Sequence, residues 1–414
     1  MKKKDILLLL GANQYLRERA LSGARKSTDA EVWIADSSDF FNKNRYFDGC
    51  FNCDQNDSKA IISLLERNSE LRLLAAIPLN DWVLKTANDV NEHFGLRHLK
   101  ADTIENSRNK HQMKVNFLKY NVPTAKFYLL SSQEELDVAI KKIGLPVVIK
   151  PYDFGGSGGV YLAKTLEEAR KHLDESQNLI ALHKKTFKIK GDKYLIEEYI
   201  NSTEEVSVEV ICFDGKYKVL SVTEKYLSPE PWFCEMGHLI PSHRNHDDKL
   251  RTMAVKACKS LGIDIGMAHV EIKIKNGEHY VIEAAARPGG DGIMDQIEKT
   301  FGINPYNLHI LTYLGIDATN IHIPNPKGTA AIAFLKAKEG IIKKINKLDH
   351  SDFGDEITSL KITAKEGMVS NPPMNWSTRE GVVEYYWDDT FFNTKTDLPV
   401  TYSKSLSSKI FDVE

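Results

Sequence analysis

The segment that most restricts this chain is HVEIKIKNGEHYVIEAAARPGG, residues 269–290. Its Asn276-Gly277 dipeptide separates two strand-like runs, 267–274 and 278–284, and so predicts an antiparallel hairpin. Each arm carries a glutamate, Glu271 and Glu283. Side chains alternate faces along a strand. A strict two-residue loop would therefore put the two glutamates on opposite faces, and a loop of odd length would put them on the same one. Val270, Ile272, Val281 and Ile282 show that at least one face is buried. Two carboxylates sharing a half-buried face repel each other unless a cation joins them, and Mg²⁺ is a cation held by one or two carboxylates plus substrate phosphates. Arg287, four residues beyond Glu283, would bring a guanidinium to the same mouth, suited to a developing oxyanion.

A second segment suggests where such phosphates would lie. VVIKPYDFGGSGGVYLA, residues 147–163, reads as strand, glycine-rich loop, strand. Gly155, Gly156, Ser157, Gly158 and Gly159 form a hairpin tip able to bring backbone N–H groups close to phosphate oxygens. Lys150 at its base can reach the same phosphates as a fixed charge. The loop is neither a Walker A motif, lacking GK[ST], nor a dinucleotide fingerprint, since Tyr161 stands at the third glycine position. A third segment, LIEEYI at 195–200 followed by Glu205, could line an adenine slot with backbone amides and offer a carboxylate to the ribose.

Around these segments the chain divides in three. Its 414 residues suggest two to three domains. Residues 1–100 alternate strands at 6–10, 32–35 and 71–77 with helices at 58–67 and 82–94, the pattern of a doubly wound parallel sheet. Residues 101–320 hold the three segments, in a lid region of about 124–200 and a central region of about 201–320. Helices are predicted at 109–120, up to Lys142, at 165–172 and at 249–261. Residues 321–414 are strand-rich and read as a small α+β unit.

With 55 basic and 57 acidic residues, the net charge of −2 argues against a nucleic-acid or membrane partner. The apolar run at 6–10 is too short for a signal peptide core and reads as a strand, and nothing approaches a membrane span. Five cysteines make no disulfide framework, and Cys50 and Cys53 form a lone CxxC; a reducing, cytoplasmic setting is expected.

In order along the chain stand Lys110 in NKHQMK, Lys150 with FGGSGG, IEEYI with Glu205, then Glu271, Glu283 and Arg287. That order and spacing resembles the ATP-grasp superfamily, over most of the chain. The resemblance implies α/β and α+β architecture: an ATP-grasp fold preceded by a small doubly wound parallel α/β domain and followed by a small α+β C-terminal domain. It implies ATP and Mg²⁺, with two ions expected and Mn²⁺ an alternative. Lys110 and Lys150 look like its phosphate-binding lysines, and 155–159 like its mobile lid. Glu197, Glu198 and Ile200 look like its adenine segment, Glu205 like its ribose ligand, Glu271 and Glu283 like its metal ligands, and Arg287 like its catalytic arginine. The chain departs from the pattern at Ala285, where many members carry a metal-binding Asn.

FCEMGHLIPS, with Glu235, His238 and Pro241, narrows the resemblance to the L-amino-acid ligases that make dipeptides, as do ARPGGD and the tail from 327. In that reading Glu235 holds a substrate ammonium and His238 caps the site or takes a proton from the attacking amine. The implied reaction joins a small-molecule carboxylate to an amine through an acyl-phosphate. Antibiotic or siderophore biosynthesis with a non-amino-acid carboxylate, and a catalytically silent nucleotide-binding protein, are the competing expectations. A homodimer is the default for oligomeric state.

Overall fold

The computed structural model describes residues 3–13, 16–26, 28–38, 46–349, 353–389 and 394–414. The N-terminal part is built on a four-stranded parallel sheet ordered Gly49–Phe51, Glu31–Ala35, Lys4–Leu10, Leu71–Pro78. Both faces are covered, which is why the run at 6–10 is apolar throughout. Ile6, Leu8 and Leu10 pack with Ile61 and Leu65 of the Ser58–Arg67 helix and with Ala87 and Val90 of Leu84–His93. Leu7 and Leu9 face the other way, toward Ala20, Leu21 and Ala24 of Arg19–Arg25.

A second, antiparallel sheet is ordered Phe127–Leu130, Tyr194–Glu198, Val147–Pro151, Tyr161–Ala163. The helix predicted at 165–172 covers it but runs much further, as Leu166–Phe187. Thr165 caps it, its side chain accepting from Glu168 N at 3.1 Å. Ala169, Leu173, Ser176 and Ile180 keep one buried stripe going beyond His172. The helix ends at Lys188, in the left-handed region at φ 50°.

The third sheet has eight antiparallel strands, ordered Glu278–Ala285, Ile265–Lys275, Glu204–Phe213, Lys216–Leu227, Glu235–Ile240, Thr329–Leu335, Gly381–Trp387, Ile357–Ile362. Its last three strands come from the tail expected to form a small unit of its own. They continue the central sheet through the pairing of His238 with Ile332. Val206, Val208, Val210, Val270 and Ile272 point to a core shared with Leu250, Ala254 and Leu261 of the Asp248–Leu261 helix. The alternate positions Glu205, Ser207, Glu209, His269, Glu271 and Lys273 therefore lie together on the opposite face. No helix among the described residues is long and apolar enough to cross a membrane.

Candidate active site

The polar face of the eight-stranded sheet floors a cavity of about 690 Å³. The glycine loop and Tyr194–Glu198 strand roof it, Asn80–Trp82 at the end of the parallel sheet closes one side, and Trp376 and Arg379 close another. The carboxyl end of a parallel strand is a common place for ligands to bind.

Glu271 and Glu283 lie directly opposite each other in the hairpin register, hence on one face. The turn is not the odd loop that would produce this. Lys275 pairs with Glu278 around Asn276 and Gly277, both at positive φ (53° and 78°), so the loop has two residues. Parity changes instead at a β-bulge between Glu271 and Ile272, where Ile282 is the extra residue. Each glutamate keeps about a fifth of its side chain open, at 23%. Their charge is balanced by lysines: Lys110 Nζ lies 3.0 Å from Glu283 and Lys225 Nζ 2.5 Å from Glu271. Two facing carboxylates on a cavity floor fit a hard divalent cation that takes its remaining oxygens from phosphates and water. They form no complete cage, and no group of three or more His, Cys, Asp or Glu among the described residues is arranged to hold a metal. Ala285 pairs with His269, whose Nδ1 is 2.6 Å from Glu209 and whose Nε2 is 3.4 Å from Glu271. Burial works to lower the His269 pKa, but the two carboxylates outweigh it and push it up to about 9. With both nitrogens protonated it is a donor, not a substitute for the missing Asn oxygen.

Lys110 opens the Lys110–Lys119 helix, whose cap Asn109 accepts from His111 N and Gln112 N. Its Nζ also donates to Phe154 O at 2.7 Å, tying the root of the glycine loop to Glu283. In the loop, Gly156 (φ 65°) is pressed against Trp376, whose ring would stand 2.3 Å from any Cβ there. Ser157 Oγ donates to Phe233 O at 2.8 Å, fastening the tip to the central part.

Lys150 is brought to the cavity wall, but not alone. Its Nζ lies 2.8 Å from Glu197, whose other oxygen lies 3.2 Å from Lys114. The three are almost fully buried, Lys114 at 0%. Burial opposes ionisation of Glu197, yet Lys114 and Lys150 hold it below the usual carboxylate range. Glu197 lines the cavity, and its side chain braces the two lysines, which leaves its backbone for the adenine segment expected at 197–200. Glu198 and Ile200 line the cavity with Tyr199. Glu205 lines it too, 3.2 Å from Lys273 and 3.7 Å from Lys225.

Glu235 is on the cavity wall, 3.1 Å from Lys225. His238 is not: it is 0% exposed and turns Nδ1 to Glu235 at 2.6 Å, behind the wall. Its expected contact with an attacking amine is therefore corrected to one that orients Glu235. Arg287 faces the cavity with Nε 2.8 Å from Asp81. Burial would raise the Asp81 pKa, but Arg287, Arg108 and Lys110 keep it well below the usual range.

Lys225 is the largest omission of the sequence reading. It meets Glu205, Glu235 and Glu271 together, and these outweigh burial to raise its pKa. Its only local signal is the alternation of Thr223 and Lys225 with Val222 on a predicted strand. Asp81, Lys114, Arg17 and Arg379 were also unsignalled. Arg379 pairs with Asp291 at 2.7 Å and lies 3.6 Å over the Phe334 ring.

Comparison with known proteins matches this geometry to a class. Residues 143–296 match the family model for the ATP-grasp domain. The chain carries an ATP-grasp domain within an ATP-grasp fold, and the resemblance seen in its motifs is borne out. It is 31% identical over 231 residues to the alanine–anticapsin ligase of Bacillus subtilis (strain 168), covering 51% of this chain and 48% of that protein. It is 26% identical over 293 residues to an L-arginine-specific L-amino acid ligase of Bacillus subtilis, covering 69% and 68%. The chain spans about half the length of the alanine–anticapsin ligases it matches. The crystal structure of an L-amino acid ligase from Bacillus licheniformis superposes with a TM-score of 0.82 at 20% identity, covering 100% of this chain and 99% of that one, which shows the shared fold.

Proposed function

We propose that this protein is an ATP-dependent ligase that joins a carboxylate to an amine through an acyl-phosphate, with amino acids as substrates, releasing ADP and phosphate. The observation that carries the reading is the facing pair Glu271 and Glu283 with Lys110, Lys150 and Arg287 on one cavity wall. The alanine–anticapsin and L-arginine-specific ligases among its relatives support an amino-acid substrate. The anticapsin ligase name also favours a non-proteinogenic partner and antibiotic biosynthesis as the second reading. We propose domain boundaries near 100 and 320, and a dimer in solution.

Glu271 and Glu283 would hold Mg²⁺, one or two ions, or Mn²⁺ in its place; the ion would supply charge neutralisation of phosphate oxygens. Lys110 and Lys150 place fixed positive charge toward the transferred phosphoryl group, where positioning and electrostatics carry most of the catalysis. The glycine loop, anchored by Ser157, excludes water that would hydrolyse an acyl-phosphate. Backbone groups of Glu198–Ile200 face the purine and Glu205 the ribose. Asp81 fixes Arg287 so that its remaining N–H groups meet the oxyanion formed when the amine attacks. Glu235, oriented by His238 and Lys225, accepts a hydrogen bond from the substrate ammonium.

Pairwise incubation of amino acids with ATP and Mg²⁺ tests the reading. ADP, phosphate and an amide product are expected with particular pairs, and ADP release indifferent to every carboxylate and amine would overturn it.

A further inference from the structure

The cations of the cavity wall are almost all matched. Lys110 meets Glu283, Lys150 meets Glu197, Lys225 and Lys273 meet Glu205, Arg287 meets Asp81, and Arg379 meets Asp291. Arg17 is the exception: it lines the same cavity, yet no carboxylate among the described residues lies within ion-pair distance of it. Its NH1 donates to Leu79 O, and its NH2 passes so close to Gly290 that a Cβ there would stand 3.0 Å away. Burial, then the neighbouring Arg287, lower its pKa to about 10, which still leaves it charged at neutral pH. A guanidinium in a cavity wall, beside a second guanidinium and with Asp81 and Asp291 acting on it only from beyond ion-pair distance, is suited to hold an anion. Its planar fork suits a carboxylate.

In the proposed ligation the triphosphate is assigned to Lys110, Lys150 and the glycine loop, and the reacting carboxylate to Arg287, Glu271 and Glu283, which leaves Arg17, next to Arg287, without an assigned anion. A second carboxylate is present whenever the amine is an amino acid. Its nitrogen forms the new C–N bond, phosphate leaves the acyl carbon, the nitrogen loses a proton, and its own carboxylate passes unchanged into the product. From this geometry we infer that Arg17 binds the unreacting carboxylate of the amine-donating substrate, making that substrate an amino acid or peptide and not a simple amine. The inference rests on the ligase reading for its substrate's role, but its binding test does not require turnover.

The test uses the full-length protein and pairs each L-amino acid with its amide. Binding is followed by calorimetry, or by fluorescence of Trp82 and Trp376, which line the cavity. Arg17→Gln should weaken at least one amino acid by roughly tenfold or more and leave its amide unchanged, since a charged hydrogen-bond pair is lost only with the carboxylate. Arg17→Lys, which keeps the charge without the fork, should fall between. In turnover, KM for the amine substrate should rise by a similar factor while KM for the carboxylate donor stays put. Equal weakening of acid and amide, or a rise confined to the carboxylate donor, would overturn the assignment. Acid-over-amide binding that depends on Arg17, in a protein that ligates no pair, would uphold this site and reject the ligase reading.

Discussion

The Lys114–Glu197–Lys150 triad offers the sharpest test of how the phosphate-binding lysine is held. In Glu197→Gln, two nearly buried ammonium groups lose the carboxylate that lies 3.2 and 2.8 Å from them. At an effective dielectric near 20, each contact is worth about 5 kcal/mol before desolvation and the mutual repulsion of the lysines are subtracted. Removing one member of a buried ion pair has a net cost of about 3–5 kcal/mol, because the partners stay buried and unpaired. That is a large share of the ~5–15 kcal/mol stability of a typical domain. Urea denaturation at neutral pH should therefore show a clear loss for Glu197→Gln. Adding Lys114→Met to Glu197→Gln should recover part of it, since one stranded charge is gone. ATP affinity should fall in Glu197→Gln, because Lys150 loses its brace. A loss below about 1 kcal/mol, the scale of an exposed pair, would refute the claim that the Glu197 side chain is structural.

Three further outcomes follow from the geometry. Arg287→Ala should cut amide formation by about a hundredfold or more, as loss of an oxyanion donor does; a loss under roughly threefold in steady-state assays rejects its role. Glu283→Ala removes one of the two facing carboxylates without moving the strand, so ATP turnover should vanish while circular dichroism keeps its strand signal; near-normal turnover would mean the facing glutamates are not needed. His309 sets an acid limit: it accepts from Met267 N at 2.9 Å and donates to Pro78 O at 2.9 Å, two contacts that require a neutral ring. Its pKa is pushed down by burial from 6.5 to about 4, so the unfolded chain takes up the proton first and stability is lost as pH falls from 6.5 toward 4. Wild type should lose about 3 kcal/mol more than His309→Gln across that window in urea titrations, and parallel curves would exclude the effect.

The features legible in the sequence were those written locally. The Asn276-Gly277 hairpin, the glycine loop after Lys150 and the parallel N-terminal strands each depend on a handful of neighbouring residues, and each is where it was expected. The shared face of Glu271 and Glu283 was legible as a requirement but not in its cause, because a bulge leaves no mark as strong as an Asn-Gly turn. Lys225, Asp81 and Arg17 escaped because their meaning lies in partners far along the chain: Asp81 reaches Arg287, and Lys225 gathers glutamates from three other strands. The joining of Thr329–Leu335 to Glu235–Ile240 is a matter of edge pairing, which alternation alone does not specify. His238 illustrates the opposite error, a motif residue whose place in the wall was assumed, although its strand turns it behind Glu235.

The central claim is that a substrate carboxylate is phosphorylated before the amine attacks. It is tested most directly by labelling that carboxylate with ¹⁸O and following the label during ligation with the wild-type protein. Transfer of one ¹⁸O atom into the released phosphate, with ADP as the other product, is the predicted result. Unlabelled phosphate, or AMP and pyrophosphate in place of ADP and phosphate, would contradict it.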